Sequence, residues 1–142
     1  MLAHQLNRQA PEALVEYAHE HLNALLRDIS EVEFTMLCST DGFELSSASK
    51  KKIENAGKLA AVSSSILAMV QAFMGEINLE GCQSLTLDAN NGKVVLTAIP
   101  NAKYPMVLVV LTSKHVLLGQ LLYSIKKIVE AITKKTEIIN HG

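Results

Sequence analysis

The chain of 142 residues contains no tryptophan, three phenylalanines, three tyrosines and two cysteines. So few aromatic rings leave nucleobases little to stack on. Thirteen Lys and Arg against fourteen Asp and Glu, a formal net charge of −1, give no basic footprint for a phosphate backbone, so nucleic acid is not expected as a partner. Cys38 and Cys82 fall in separate strand-like runs with no CxxC spacing. That pattern fits buried thiols in a reducing compartment better than a disulfide framework or a zinc site. The opening stretch MLAHQLNRQAPEALVEYAHEH has no basic segment followed by an apolar one. Neither a secretory signal nor a transit peptide is read there, and a cytoplasmic location is expected.

Catalytic signatures are equally scarce. A phosphate-binding loop needs GxxxxGK[ST], whose glycines let backbone amides wrap the phosphates. Gly92-Lys93 has Leu87 at the first glycine position and Val94 in place of Ser or Thr, and Gly57-Lys58 fails in the same way. His19 and His21 stand two apart on a helix and diverge, while His4, His115 and His141 lie in tails or at a helix start, so no HExxH metal pattern exists. Ser63, Ser64 and Ser65 sit mid-helix with no adjacent His or Asp to activate a nucleophile. They are read as close-packing or back-bonded serines. No catalytic, cofactor-binding or metal-ligating residue is assigned, and a binding module rather than an enzyme is expected.

What the chain does have is apolar surface. Hydrophobic residues at 49% and charged residues at 19% describe one globular domain with more apolar side chains than a small core needs. Residues 1–10 read as an aperiodic tail, 11–135 as the domain and 136–142 as a second tail. After Pro11, the residues Leu14, Ala18, Leu22, Leu25, Leu26 and Ile29 recur at helical spacing, which gives one buried stripe. VEFTMLCSTDGFELSSAS then alternates around Asp41-Gly42 as a β-hairpin. After a long helix come a strand from Cys82 to Asp88, an Asn91-Gly92 turn and a strand from Lys93 to Ile99. The β-branched run MVLVVLT reads as a central strand covered on both faces. Ser113 reads as the N-cap of a last helix whose stripe ends at Ile132. The order is α-β-β-α-β-β-β-α, an α+β fold.

The long helix, KLAAVSSSILAMVQAFMGEI, carries no charge over residues 59–75. About 20 such residues could cross a bilayer, but the three serines, Gln71 and many alanines argue for a buried helix and against a membrane span. Leu59, Val62, Ile66, Met69 and Phe73 form one row; Ala60, Ser63, Leu67, Val70 and Met74 form another, rotated by about 100°. One row can face the sheet, and the larger one then needs a second cover, either the terminal helices or a second copy of the chain. Three helices on one sheet normally divide between its faces and leave one alone, which favours a homodimer. A third row, Ala61, Ser65, Ala68 and Ala72, is small enough for another backbone to approach.

Taken together in order and spacing, three stretches resemble the roadblock family over residues 13–132. They are FTMLCSTDGFELSSAS, with Ser39, Asp41, Gly42 and Leu45; the Ala-rich helix; and SLTLDANNGKVVLTAIPNAKYPMVLVVLTSKHVLLGQLLYSIKKIVEAI. This family comprises small dimeric domains related to dynein light chains and to bacterial regulators of Ras-like GTPases. The resemblance implies a five-stranded antiparallel sheet sandwiched between one long middle helix and two terminal helices. It implies a homodimer whose third strands meet edge to edge while the middle helices pack together. On that pattern Leu59, Val62, Ile66, Met69, Phe73, Cys82, Ser84 and Thr86 supply the dimer interface. It further implies a cytoplasmic scaffold or regulator in cell-polarity signalling that binds a small Ras-like GTPase and stimulates hydrolysis by reshaping its switch region. Lys58, Ser65, Gln71 and Glu76, the less apolar positions of the middle helix, are the implied GTPase contact. The alternative is a small-molecule-sensing signalling domain, which an apolar cavity with convergent polar groups would favour.

Overall fold

Proline suits a helix start, where its missing amide hydrogen needs no partner. In the computed structural model, which describes residues 10–81, 84–101 and 103–141, the Pro11 carbonyl accepts the amides of Leu14 and Val15 at 3.1 Å. It thereby opens α1 (Glu12–Asp28), whose residues Leu14, Ala18, Leu22, Leu25 and Leu26 are buried on one stripe. Then follow β1 (Val32–Ser39), β2 (Glu44–Ser49), α2 (Ala56–Glu76), β3 (Ser84–Ala89), β4 (Gly92–Ile99), β5 (Met106–Ser113) and α3 (Leu118–His141). The element order is the expected one. Cys82 and most of the 1–10 tail lie outside the described residues.

The strands form one antiparallel sheet in the order β2-β1-β5-β4-β3. β5, the β-branched run, is central. Its alternate residues serve different cores: Leu108 and Val110 meet α1 and α3 on one face, while Val107 and Val109 meet α2 on the other. β1 is buried on both sides for the same reason, with Leu37 in the first core and Phe34, Met36 and Cys38 in the second.

Two glycines permit close approaches. Gly42 in the first hairpin has φ +94°, and a Cβ there would lie 3.1 Å from Ala61 Cα, so its absence lets α2 settle on the hairpin. At Gly92 a Cβ would come within 2.6 Å of the Thr112 carbonyl oxygen. This second glycine belongs to β4, pairing with Ala89, so the hairpin turns on Asn90 and Asn91, one residue earlier than the sequence pattern indicates.

Ser113 also differs from expectation. It ends β5, donating its amide to the Glu31 carbonyl at 2.9 Å and accepting the Val116 amide at 3.4 Å, so α3 begins only at Leu118. That helix passes residue 135, where the apolar pattern places the domain's end. Thr136 is buried, with its hydroxyl donating to the Ile132 carbonyl at 2.8 Å.

Substituting Gly92→Ala should destabilise the domain by about 1–3 kcal/mol, because a strand backbone must shift to clear the new methyl group. Gly57→Ala has nothing within 4 Å of the added carbon and lies in the first turn of α2. It should be neutral or stabilise by up to about 1 kcal/mol. Urea unfolding of both variants beside wild type checks the contrast, and equal effects would refute it.

Candidate protein-interaction surface

The sheet-facing row of α2 is Ala60, Ser63, Ser64 and Leu67, all buried. Small residues here bring the helix axis close to β1. Ser64 contributes an anchor that spacing alone does not reveal: its hydroxyl donates to the Ser39 carbonyl at 2.9 Å and lies 3.9 Å from Cys38 Sγ. Ser65 is exposed and bonds back to the Ala61 carbonyl at 3.1 Å, as expected for a mid-helix serine. By length and composition α2 could cross a membrane. Its buried serines, one of them hydrogen-bonded to a strand, instead make it a layer of this fold.

The other large row faces outward. Val62 is 45% exposed, Met69 65% and Phe73 63%, while Leu59 and Ile66 straddle the margin of the core beneath. Ile77 and Leu79 extend the exposed apolar surface past the helix end, an extension that the helical period alone does not signal. Ala61, Ser65, Ala68 and Ala72 lie exposed on the neighbouring flank, so a partner can approach the helix closely there.

The edge strand adjoins this surface. β3 occupies one end of the sheet and, among the described residues, pairs with β4 alone. Leu85 packs at the margin of the α2 core, whereas Leu87 is exposed. A hollow of ≈ 280 Å³ opens beside it, lined by Leu87, Val94 and Leu111 among others. The strand has no proline, and its one charge, Asp88, is paired with Lys93 at 2.6 Å. It therefore lacks the usual devices that stop an edge from pairing further. Ser84 and Thr86 sit on this edge as anticipated.

The four polar positions separate. Lys58, Ser65 and Glu76 are exposed on nearly one line, on the ridge of α2 farthest from the sheet. At 1.5 Å per residue Lys58 and Glu76 stand about 27 Å apart, at opposite ends of the helix. Gln71 is turned about 140° from Lys58, and lines a separate groove of ≈ 570 Å³ between α2 and the β4–β5 connector, with Ser64, Leu67 and Asn101.

A family model described as Roadblock/LC7 domain matches residues 19–112, from within α1 to near the end of β5. The chain belongs to the Roadblock/LC7 domain family. Among solved structures, Myxococcus xanthus MglB is similar at 19% identity with TM-score 0.79, covering 91% of this chain and 93% of that one. The gliding protein mglB of Thermus thermophilus shows 19% identity and TM-score 0.78, covering 89% and 93%. An MglB with a tetrameric arrangement shows 20% identity and TM-score 0.78, covering 89% and 92%. At these identities the likeness establishes a shared fold. No curated protein matches the chain in sequence.

Within this roadblock domain, Cys38 is fully buried, and burial pushes its thiol from an ordinary value near 9 up to about 11, against a smaller opposing effect of the Ser64 hydrogen bond. The unfolded chain deprotonates first, so this contribution to stability is complete below pH about 9 and declines as pH rises towards about 11, by an amount on the order of 2 kcal/mol. Unfolding free energies of wild type and Cys38→Val across that range should diverge, with wild type losing more; parallel curves would count against the buried neutral thiol.

Proposed function

We propose that this roadblock domain acts as a homodimer that binds a small Ras-like GTPase and takes no catalytic part itself. One observation carries the reading: the exposed row Val62, Met69 and Phe73 and the unprotected edge strand β3 flank the same face of one sheet. A two-fold axis beside β3 joins both features at once, since an isologous contact needs one self-complementary patch. Pairing β3 with its copy removes both edges. Packing α2 on α2 covers Val62, Met69 and Phe73, with Leu59 and Ile66 at the seam and Ser84 and Thr86 on the paired strands.

The ridge of Lys58, Ser65 and Glu76 then serves the GTPase, while Gln71, turned away into its separate groove, lies outside that contact. The chain's arginines are Arg8 and Arg27, and Arg27 sits on α1, across the sheet from α2, where it pairs with Asp28 at 3.5 Å. α2 itself, residues 56–76, contains no arginine to insert as a finger. Stimulation of hydrolysis, on this reading, comes from tighter binding to the hydrolysis-competent arrangement of the GTPase's own switch segments. The work is that of a cytoplasmic regulator or scaffold in polarity signalling.

Light scattering should give a dimer for wild type, and Met69→Asp should weaken it by about 100-fold or more, since a carboxylate is then buried in the seam. A monomeric wild type overturns the dimer. Single-turnover hydrolysis and pull-down with purified Ras-like GTPases, each loaded with GDP or a non-hydrolysable GTP analogue, test the partner. Lys58→Glu should lose the GTPase and remain dimeric, and a panel of GTPases that shows neither binding nor stimulation refutes that part of the reading.

A further inference from the structure

On the opposite face of the sheet from α2, a groove of ≈ 400 Å³ runs between α3 and the β3–β4 end of the sheet. Its wall is aliphatic, from Leu122, Ile125 and Val129 on α3, and no aromatic residue lines it. Thr97 and Ser84, directly paired across β4 and β3, lie on the sheet beneath. Thr97 is 7% exposed, and its Oγ1 is the buried side-chain oxygen or nitrogen that, among the described residues, has no hydrogen-bond partner. Leaving such a group unpaired is costly, and the site calls for an occupant that satisfies it.

The rim adds charge. Lys126 and Glu130 line the groove from successive turns of α3, both exposed, and no salt bridge joins either to a described residue. With lysine N-terminal to glutamate, their order is the less favourable one for a pair within a helix. The site therefore offers a cation, an anion, a buried hydroxyl and an aliphatic wall, in a volume within the range of small-ligand pockets.

We propose that this groove binds a zwitterionic aliphatic molecule of the branched-chain amino acid class. Its carboxylate faces the Lys126 ammonium and accepts the hydrogen bond that Thr97 Oγ1 has to give; its ammonium faces Glu130; its side chain lies against Leu122, Ile125 and Val129. A simple fatty acid leaves Glu130 opposed to its carboxylate, and a planar aromatic ligand finds no ring to stack on. Charge complementarity selects the amino acid.

Methyl and amide NMR spectra of the full chain, titrated with L-leucine to about 10 mM, test the proposal. Saturable shifts should be confined to Thr97, Leu122, Ile125, Val129 and their neighbours. Thr97→Val, which keeps the side-chain shape, should weaken binding by about 5-fold, the value of one hydrogen bond, and the exposed changes Lys126→Gln and Glu130→Gln should each weaken it by about 5-fold or more. 4-Methylpentanoate, which is leucine without its ammonium, should bind more weakly than leucine. The assignment is overturned by an absence of saturable shifts, by unchanged affinity in any of the three variants, or by 4-methylpentanoate binding as well as leucine. Because the groove and the α2 surface lie on opposite faces, a failure here leaves the dimer and GTPase reading standing.

Discussion

A five-stranded sheet with strands about 4.8 Å apart is roughly 24 Å across, whereas one helix with its side chains covers about 10–12 Å. Two helices can close one face of such a sheet, and a single helix cannot close the other. α1 and α3 take the first face, so α2 is alone on the second. The outward row of α2, the exposed Leu87 and the hollow beside β3 all follow from that shortage of cover.

The solitary helix must still be held firmly, and small residues do this. Ala60 and Ser63 bring α2 down onto the sheet, Gly42 clears space beneath Ala61, and Ser64 reaches the Ser39 carbonyl. Large apolar residues are thereby left for the opposite side. The apparent excess of hydrophobic residues in α2 is thus divided between different sides of one cylinder, with Ala60 and Leu67 buried against the sheet and Val62, Met69 and Phe73 exposed away from it.

The two faces of the sheet present different chemistry to partners. The α2 side is an extended apolar surface next to an open strand edge, suited to another protein. The α3 side is a narrow groove with a hydroxyl and two charges that find no partner among the described residues, suited to something small. Sharing β3 and β4 between them, the two sites have a common mechanical element, with Thr97 on one side of β4 and Leu96 on the other.

Periodicity alone was enough to read the element order, the buried stripe of α1, the centrality of β5 and the existence of two rows on α2, because helix and strand periods are imposed by backbone geometry whatever the surroundings. Local pattern could not decide matters that depend on a neighbouring element. Gly92 looked like a turn residue and is a strand residue, because the Thr112 carbonyl beside it is brought there by β5. Ser113 looked like a helix cap and is a strand end, because Glu31 waits across the sheet for its amide. Gln71 is set about 140° from Lys58 by the helical period itself, but only the β4–β5 connector turns that side of the helix into a groove. Thr97 looked unremarkable in an alternating strand, and only the path of α3 over the sheet buries its hydroxyl without a partner among the described residues. Which surfaces are apolar is already written in the order of the residues; which of those surfaces stay uncovered was settled by the packing of the elements, since cover is a property of the distances between them and not of any one of them.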